Sequence, residues 1–185
     1  MAIYGFRRIY LAKRNVNNGA VTYDAPVTPG CPISADLQLQ FAEQELWCAD
    51  GLSTWLRKMI GGTVTLETKF LTPASQVVAF GSTLKTRTLT FNDASGSSVT
   101  KTVQSVVRAA GDESPYVGFA GFGPDAGEDG DDKFCAFFVG KAKFSPPNSR
   151  FQTIGSNITF QTPTTSGRFL PDEANGKVLQ EIAIC

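Results

Sequence analysis

Three apolar runs decide the fold: PYVGFAGFG at 115–123, KFCAFFVGKAKF at 133–144 and ITFQTPTTSGRF at 158–169. Together they hold more than half of the 14 Phe residues in the chain. Each run is short and is bounded by Gly, Pro, Asn or Asp, a pattern typical of β-strands separated by turns. We therefore predict three consecutive strands and place the core of the protein in this region.

The middle run alternates, and successive side chains of a strand point to opposite faces. The even-numbered face is wholly apolar or small: Phe134, Ala136, Phe138, Gly140, Ala142 and Phe144. The odd-numbered face is apolar only in its middle: Lys133, Cys135, Phe137, Val139, Lys141 and Lys143. This predicts a strand that is buried on the even face and partly covered on the odd face, as in a sheet packed against a second sheet.

The length, the charge and the residue counts limit the class of protein. A chain of 185 residues predicts a single domain over 1–185 with a sizeable core. Its 17 basic and 17 acidic side chains cancel, which argues against a basic-patch binder of nucleic acid or membrane. No His is present, so Ser-His-Asp and Cys-His nucleophiles and imidazole zinc sites are excluded. We predict neither an enzyme nor a cofactor site.

The four cysteines are scattered and form no CxxC pair: Cys31, Cys48, Cys135 and Cys185. Cys135 lies in an apolar run and is expected to behave as a small hydrophobic residue. The chain start lacks the apolar segment of a signal peptide, and the longest apolar runs are too short to span a bilayer. We infer folding in the cytoplasm with reduced thiols.

Short strands account for most of the remaining chain. Strands are predicted within 5–13, 33–41, 43–49, 63–70 and 177–184, a hairpin from 84–91 and 99–107, and a loop over 15–32. One helix is predicted at 72–81, with Thr72 as its N-cap, Pro73 in its first position and Gly81 at its end. About nine strands without regular βα alternation indicate a mainly β sandwich or barrel with one short flanking helix.

The segment 50–62 fits two structures. Its Leu52, Trp55, Leu56, Met59 and Ile60 follow the i, i+3, i+4 spacing of an amphipathic helix that would close one end of the core. A long loop between two strands would instead carry these side chains outward as a partner-binding arm. The pattern alone leaves both open.

The sequence DAGEDGDD at 125–132 is the densest cluster of charge. A calcium site is one interpretation, and it would make the chain a carbohydrate-binding or calcium-dependent β-sandwich module. The spacing does not fit a twelve-residue calcium loop, so we favour a solvated turn between two strands and predict no metal site. The carboxylates concerned are Asp125, Glu128, Asp129, Asp131 and Asp132.

Four segments of the chain resemble the major tail protein family of long-tailed, siphovirus-like phages, whose members build the tail tube. They are GFRRIYLAKR at 5–14, ADGLSTWLRKMIGGTVTLETKFLTP at 49–73, ESPYVGFAGFG at 113–123 and FFVGKAKFSPPNSRFQTIGSNITFQTPTTSGRFL at 137–170. The acidic insert at 125–132 departs from the family pattern.

The resemblance implies a two-sheet β-sandwich of the tail tube type, six copies in a ring, and rings stacked into a hollow tube. It implies a long loop at 50–62 that contacts the adjacent ring, which makes inter-subunit contact candidates of Trp47, Leu52, Trp55, Leu56, Met59 and Ile60. The five carboxylates of 125–132 become candidates for the rim or the lumen.

The implied partners are other copies of the chain, the tape measure protein, and the tail terminator and tip proteins. Viral DNA would pass through the lumen without specific binding, and no membrane is involved. The implied location is the virion tail, assembled in the host cytoplasm.

Overall fold

The computed structural model describes residues 7–48, 51–126, 132–148 and 161–184. These residues form ten strands, one α-helix and a short 3₁₀ turn at Glu173–Asn175. In chain order the elements are β1 Arg8–Asn17, β2 Ala20–Tyr23, β3 Pro32–Cys48, β4 Gly51–Thr68, α1 Pro73–Phe80, β5 Thr83–Asn92, β6 Ser98–Val107, β7 Val117–Ala126, β8 Asp132–Phe144, β9 Thr164–Phe169 and β10 Glu181–Ile184.

Eight of the strands form one antiparallel sheet in the order β2-β1-β7-β8-β9-β4-β3, and β10 pairs with β8. The strands β5 and β6 form a separate two-stranded hairpin. The prediction of a mainly β chain with one short helix is therefore confirmed. Among the described residues, the second sheet consists of this hairpin alone. The two sheets therefore differ in their number of strands much more than those of an ordinary sandwich.

The helix α1 closes the core on one face of the large sheet. The Thr72 hydroxyl accepts a hydrogen bond from the Ser75 backbone N–H at 3.2 Å, and Gly81 ends the helix with a φ of 70°. Both caps are those that the sequence predicts. The buried apolar cluster joins six elements: Ile9 and Leu11; Val64 and Leu66; Ala79 and Phe80; Val117 and Phe119; Val139, Ala142 and Phe144; and Phe169.

The face assignment predicted for β8 is wrong in the first part of the strand, before the bulge, and agrees with the structure after it. Val117 pairs with Ala142 and Phe119 pairs with Val139, so β8 carries one more residue than β7 between these pairs. Such a β-bulge exchanges the two faces of the strand. The core side therefore takes odd positions before the bulge and even positions after it: Cys135, Phe137 and Val139, then Ala142 and Phe144.

The predicted loop over 15–32 contains a strand that the sequence analysis missed. Asn18 and Gly19 have φ values of 49° and 82°, and their backbones make a two-residue turn between β1 and β2. Positive φ at both central residues is the conformation of a tight hairpin turn. The Asn-Gly pair at 18–19 was the signal for it.

A buried ion pair fastens the chain after β9 to β1. The Asp172 carboxylate is fully buried and accepts hydrogen bonds from both Arg14 Nε, at 3.0 Å, and Arg14 Nη2. This hydrogen bonding raises the pKa of the Arg14 guanidinium. The Asp172 backbone bonds with Lys177 and Val178, closing a turn, so the last strand begins at Glu181 rather than at the predicted 177.

We expect Arg14→Ala to lower the free energy of unfolding by about 3–5 kcal/mol, because it leaves a buried carboxylate without its cation. Urea denaturation of the purified protein measures the change. Arg8→Ala is the control, since Arg8 is exposed on the same strand and its loss should change the stability little. Equal losses for the two variants would contradict the role of the pair.

Tyr23 gives the fold a dependence on high pH. Its hydroxyl donates to the Gly140 carbonyl at 2.9 Å, and burial is the main cause that raises the pKa of this phenol. A pKa higher in the folded than in the unfolded chain favours the folded state below about pH 10 and loses that contribution as the pH rises further. We expect Tyr23→Phe to flatten the fall in stability above that pH. Tyr10→Phe is the control, and an equal flattening there would contradict the prediction.

Candidate assembly interface

The hairpin of β3 and β4 extends well beyond the rest of the sheet. β9 pairs with β4 only over Gly62–Glu67, whereas β3 stays paired with β4 out to Cys48 and Gly51. The outer part, residues 41–48 and 51–60, is therefore a two-stranded ribbon, which we call the arm. At about 3.3 Å per residue, eight residues of β3 give the arm a reach of roughly 25 Å.

A glycine marks the root of the arm. A Cβ atom on Gly62 would lie 2.1 Å from the Phe169 ring and 2.5 Å from the Gln38 carbonyl oxygen. The fully buried Phe169 ring thus occupies the space of a side chain at position 62. It packs there at the last residue pair that joins β9 to β4.

Of the segment 50–62, the described residues 51–62 form neither a helix nor a loop, since they lie within β4. Two bulges interrupt its pairing with β3. Gln40 pairs with Gly61 but Phe41 pairs with Met59, so Ile60 is the extra residue. Ser53 is extra in the same way nearer the tip. At each bulge, successive residues on one face of the strand are three positions apart in sequence instead of two. The apolar residues of this segment therefore have a spacing similar to that of a helix.

One face of the arm continues the core face of the sheet outward. Phe41 on β3 pairs with Met59, and Glu45 pairs with Trp55. Arg57 lies between these pairs, with its Cζ atom 3.9 Å from the centroid of the Phe41 ring and its Nε atom 2.9 Å from Glu43 Oε1. Cation–π and ionic contacts therefore hold this face together, while the Phe41 and Trp55 side chains stay exposed.

The six predicted contact residues lie together on the arm, and five of them are exposed to solvent: Trp47, Trp55, Leu56, Met59 and Ile60. Large apolar side chains this exposed on one contiguous element are unusual for a chain that stays alone. Exposure reaches 62% for Trp47 and 64% for Leu56, and Trp55, Met59 and Ile60 are also exposed. Leu52 belongs to the arm by its pairing with Trp47. Phe41 and Leu46 are exposed on the arm as well; they were not among the predicted contact residues, and their apolar character was the available signal.

A groove lies where the arm leaves the sheet. It has a volume of about 420 Å³ and separates the arm from the segment that leads into β10. Its apolar lining comes from both sides: Leu39 and Met59, then Val178, Leu179 and Ile182. The exposed apolar surface of the arm is thus continuous with that of the sheet.

Both ends of the large sheet are open edges. The 17-residue strand β3 forms one edge, and the four-residue strand β2 forms the other. In the part of the chain that the structure describes, neither has a second neighbour. Unpaired backbone N–H and C=O groups along an edge can pair with another chain.

The acidic segment 125–132 connects β7 to β8. Asp125 and Asp132 lie at the ends of these strands and pair with Lys133 and Ala126 through the backbone. Glu128, Asp129 and Asp131, predicted for a rim or lumen, lie outside the described residues. Among the residues described, no group of Asp, Glu, Cys or His is arranged to hold a metal ion.

Comparison with known proteins adds no relative: no protein-family model matches the chain, and no curated protein matches its sequence significantly. The described residues include no helix with the length and apolar character needed to cross a membrane. Cys31 and Cys48 are exposed free thiols, and Cys135 is buried.

The two tryptophans of the chain, Trp47 and Trp55, both lie on the arm, so intrinsic tryptophan fluorescence reports on the arm alone. We expect acrylamide to quench this fluorescence in the monomer nearly as well as in urea-unfolded protein, because both indoles are exposed. Near-ultraviolet circular dichroism of the core aromatic residues confirms that the quenched sample is folded. A monomer whose tryptophans resist quenching would show that the arm packs onto the core.

Proposed function

We propose that this protein is a self-assembling structural subunit of a phage tail tube, with six copies in a ring and rings stacked into a hollow conduit for DNA. The resemblance of its sequence segments to the tail tube family supplies the particular assembly. The arm supplies the physical argument for self-association, and it is the single observation on which the proposal rests.

The arm supports self-association because of what it exposes. A two-stranded ribbon without a third strand has little stability of its own in water. Its Trp55, Leu56 and Met59 gain free energy only when another surface covers them, at about 1.5–3 kcal/mol for each large apolar side chain. In the proposed tube, that surface belongs to a copy in the adjacent ring.

The open edges support closure into a ring. A strand edge as long as β3 is usually shielded in proteins that stay monomeric. Pairing β3 of one copy with an edge of the next would use this surface, and a repeated contact of this head-to-tail kind closes into a ring when its rotation permits. The tape measure, terminator and tip proteins would bind the finished tube, and DNA would pass through it without sequence-specific contacts.

Electron microscopy of the concentrated protein tests the proposal directly, with rings or tubes as the expected result. Replacing Trp55, Leu56 and Met59 with Ser should leave a folded monomer and raise the protein concentration needed for assembly more than about a hundredfold. The matched control replaces Val16, Phe70 and Leu170 with Ser, since these are also exposed but lie off the arm.

Two results would overturn the proposal. One is a wild-type protein that stays monomeric at high concentration under every assembly condition. The other is assembly that the arm variant and the control variant impair equally. Circular dichroism of both variants separates lost assembly from lost folding.

A further inference from the structure

The hairpin of β5 and β6 has two chemically different faces. Side chains of directly paired residues lie on the same side of a hairpin. The pairs Leu89 with Lys101, Arg87 with Val103 and Lys85 with Ser105 therefore share one face, which we call the basic ribbon face. Phe91 extends it toward the tip. The opposite face is uncharged and rich in Thr, with the Thr90 and Thr100 hydroxyls hydrogen-bonded at 3.2 Å.

The three cations of the basic ribbon face are exposed and uncompensated. Lys85, Arg87 and Lys101 take part in no salt bridge among the described residues. The nearest carboxylate in the hairpin, Asp93, accepts hydrogen bonds from Ser95 and Ser97 in its own turn, and these lower its pKa. The Asp93 carboxylate therefore stabilises the turn rather than pairing with a cation of the basic ribbon face.

The basic hairpin and the acidic segment are rooted at opposite ends of β7. A Cβ atom on Gly81, just before β5, would lie 2.3 Å from the Glu113 carbonyl oxygen, close to the start of β7 at Val117. The acidic segment follows the other end of β7. Ten strand residues separate these ends by about 30 Å.

The arm lies toward the acidic end. β4 is antiparallel to β9, and β9 is antiparallel to β8, so β4 runs in the same direction as β8. The tip of the arm therefore lies toward the start of β8, where the acidic segment ends. One end of the sheet thus carries the arm and the two strand ends that the acidic segment joins, and the other end carries the root of the basic hairpin.

We propose that the basic ribbon face binds the acidic segment 125–132 of a second copy, so that copies join head to tail. Charge complementarity identifies this occupant: the sequence 125–132 has five carboxylates in eight residues, and the basic ribbon face has three cations without a salt bridge among the described residues. Apolar residues accompany both, with Leu89 and Phe91 on the hairpin and Phe134, 39% exposed, beside the acidic segment. This contact deepens the proposed function, since it would join successive rings.

Zero-length cross-linking tests the contact. A carbodiimide joins a lysine amine and a carboxylate as an amide with loss of water, so it records only groups in direct contact. An equal mixture of ¹⁴N- and ¹⁵N-labelled full-length protein distinguishes links between copies from links within one. We expect mixed-isotope links from Lys85 and Lys101 to residues 125–132. They should be lost at 1 M salt, where the screening length is about 3 Å.

Charge reversal gives the matched comparison. Arg87→Glu with Lys101→Glu should abolish the Lys85 links, whereas Lys13→Glu with Lys69→Glu changes the net charge equally at exposed sites elsewhere and should preserve them. Reversing Asp125 and Asp132 to Lys in a second chain should restore association with the Arg87/Lys101 variant. Failure of this pair to associate would overturn the proposal.

The outcomes also separate this inference from the proposed function. Tubes without mixed-isotope links between these segments overturn the inference and leave the function standing. Mixed-isotope links in small oligomers that never form tubes support the inference and remove the function. Links only within one copy, or none, overturn it. Binding of duplex DNA would also overturn the inference in one case. That case is tight binding that Arg87→Glu with Lys101→Glu abolishes, in a protein that forms no links between copies.

Discussion

The packing of the Phe169 ring over Gly62 fixes where the compact part of the protein ends. On one side of this contact, β4 lies between two neighbours and its Val64 and Leu66 are buried. On the other side, β3 is the only neighbour of β4 among the described residues, and Trp55, Leu56, Met59 and Ile60 are exposed. A side chain at position 62 would displace the ring from the core. The sheet, the core and the arm all take their limits from this one contact.

The sequence predicts most of the elements, because their signals are local. The caps of α1, the β5–β6 hairpin and the strands around 115–144 follow from turn residues and alternation. The faces of β8 do not follow, because one bulge near Gly140 reverses them and nothing within the strand announces it. Bulges depend on the register between two strands, and register is set by packing across the whole sheet.

The structure of the arm is another feature that the sequence alone does not predict. The apolar residues of 50–62 identify the right surface, yet their spacing fits a helix as well as an exposed ribbon. The bulges at Ser53 and Ile60 create that ambiguity by breaking the two-residue period. What decides it is the length of β9, a strand about a hundred residues away in sequence. No local pattern contains this information.

The opposite charges of the basic ribbon face and the acidic segment affect the rate at which copies associate as well as the stability of their contact. A chain with 17 positive and 17 negative side chains has no net charge to repel its copies. In the proposed head-to-tail contact, the cations of one copy attract the acidic segment of the next before the two copies touch. This steering turns approaching copies into alignment and speeds productive encounters most at low ionic strength. The absence of net repulsion and this local attraction together would favour growth in one direction.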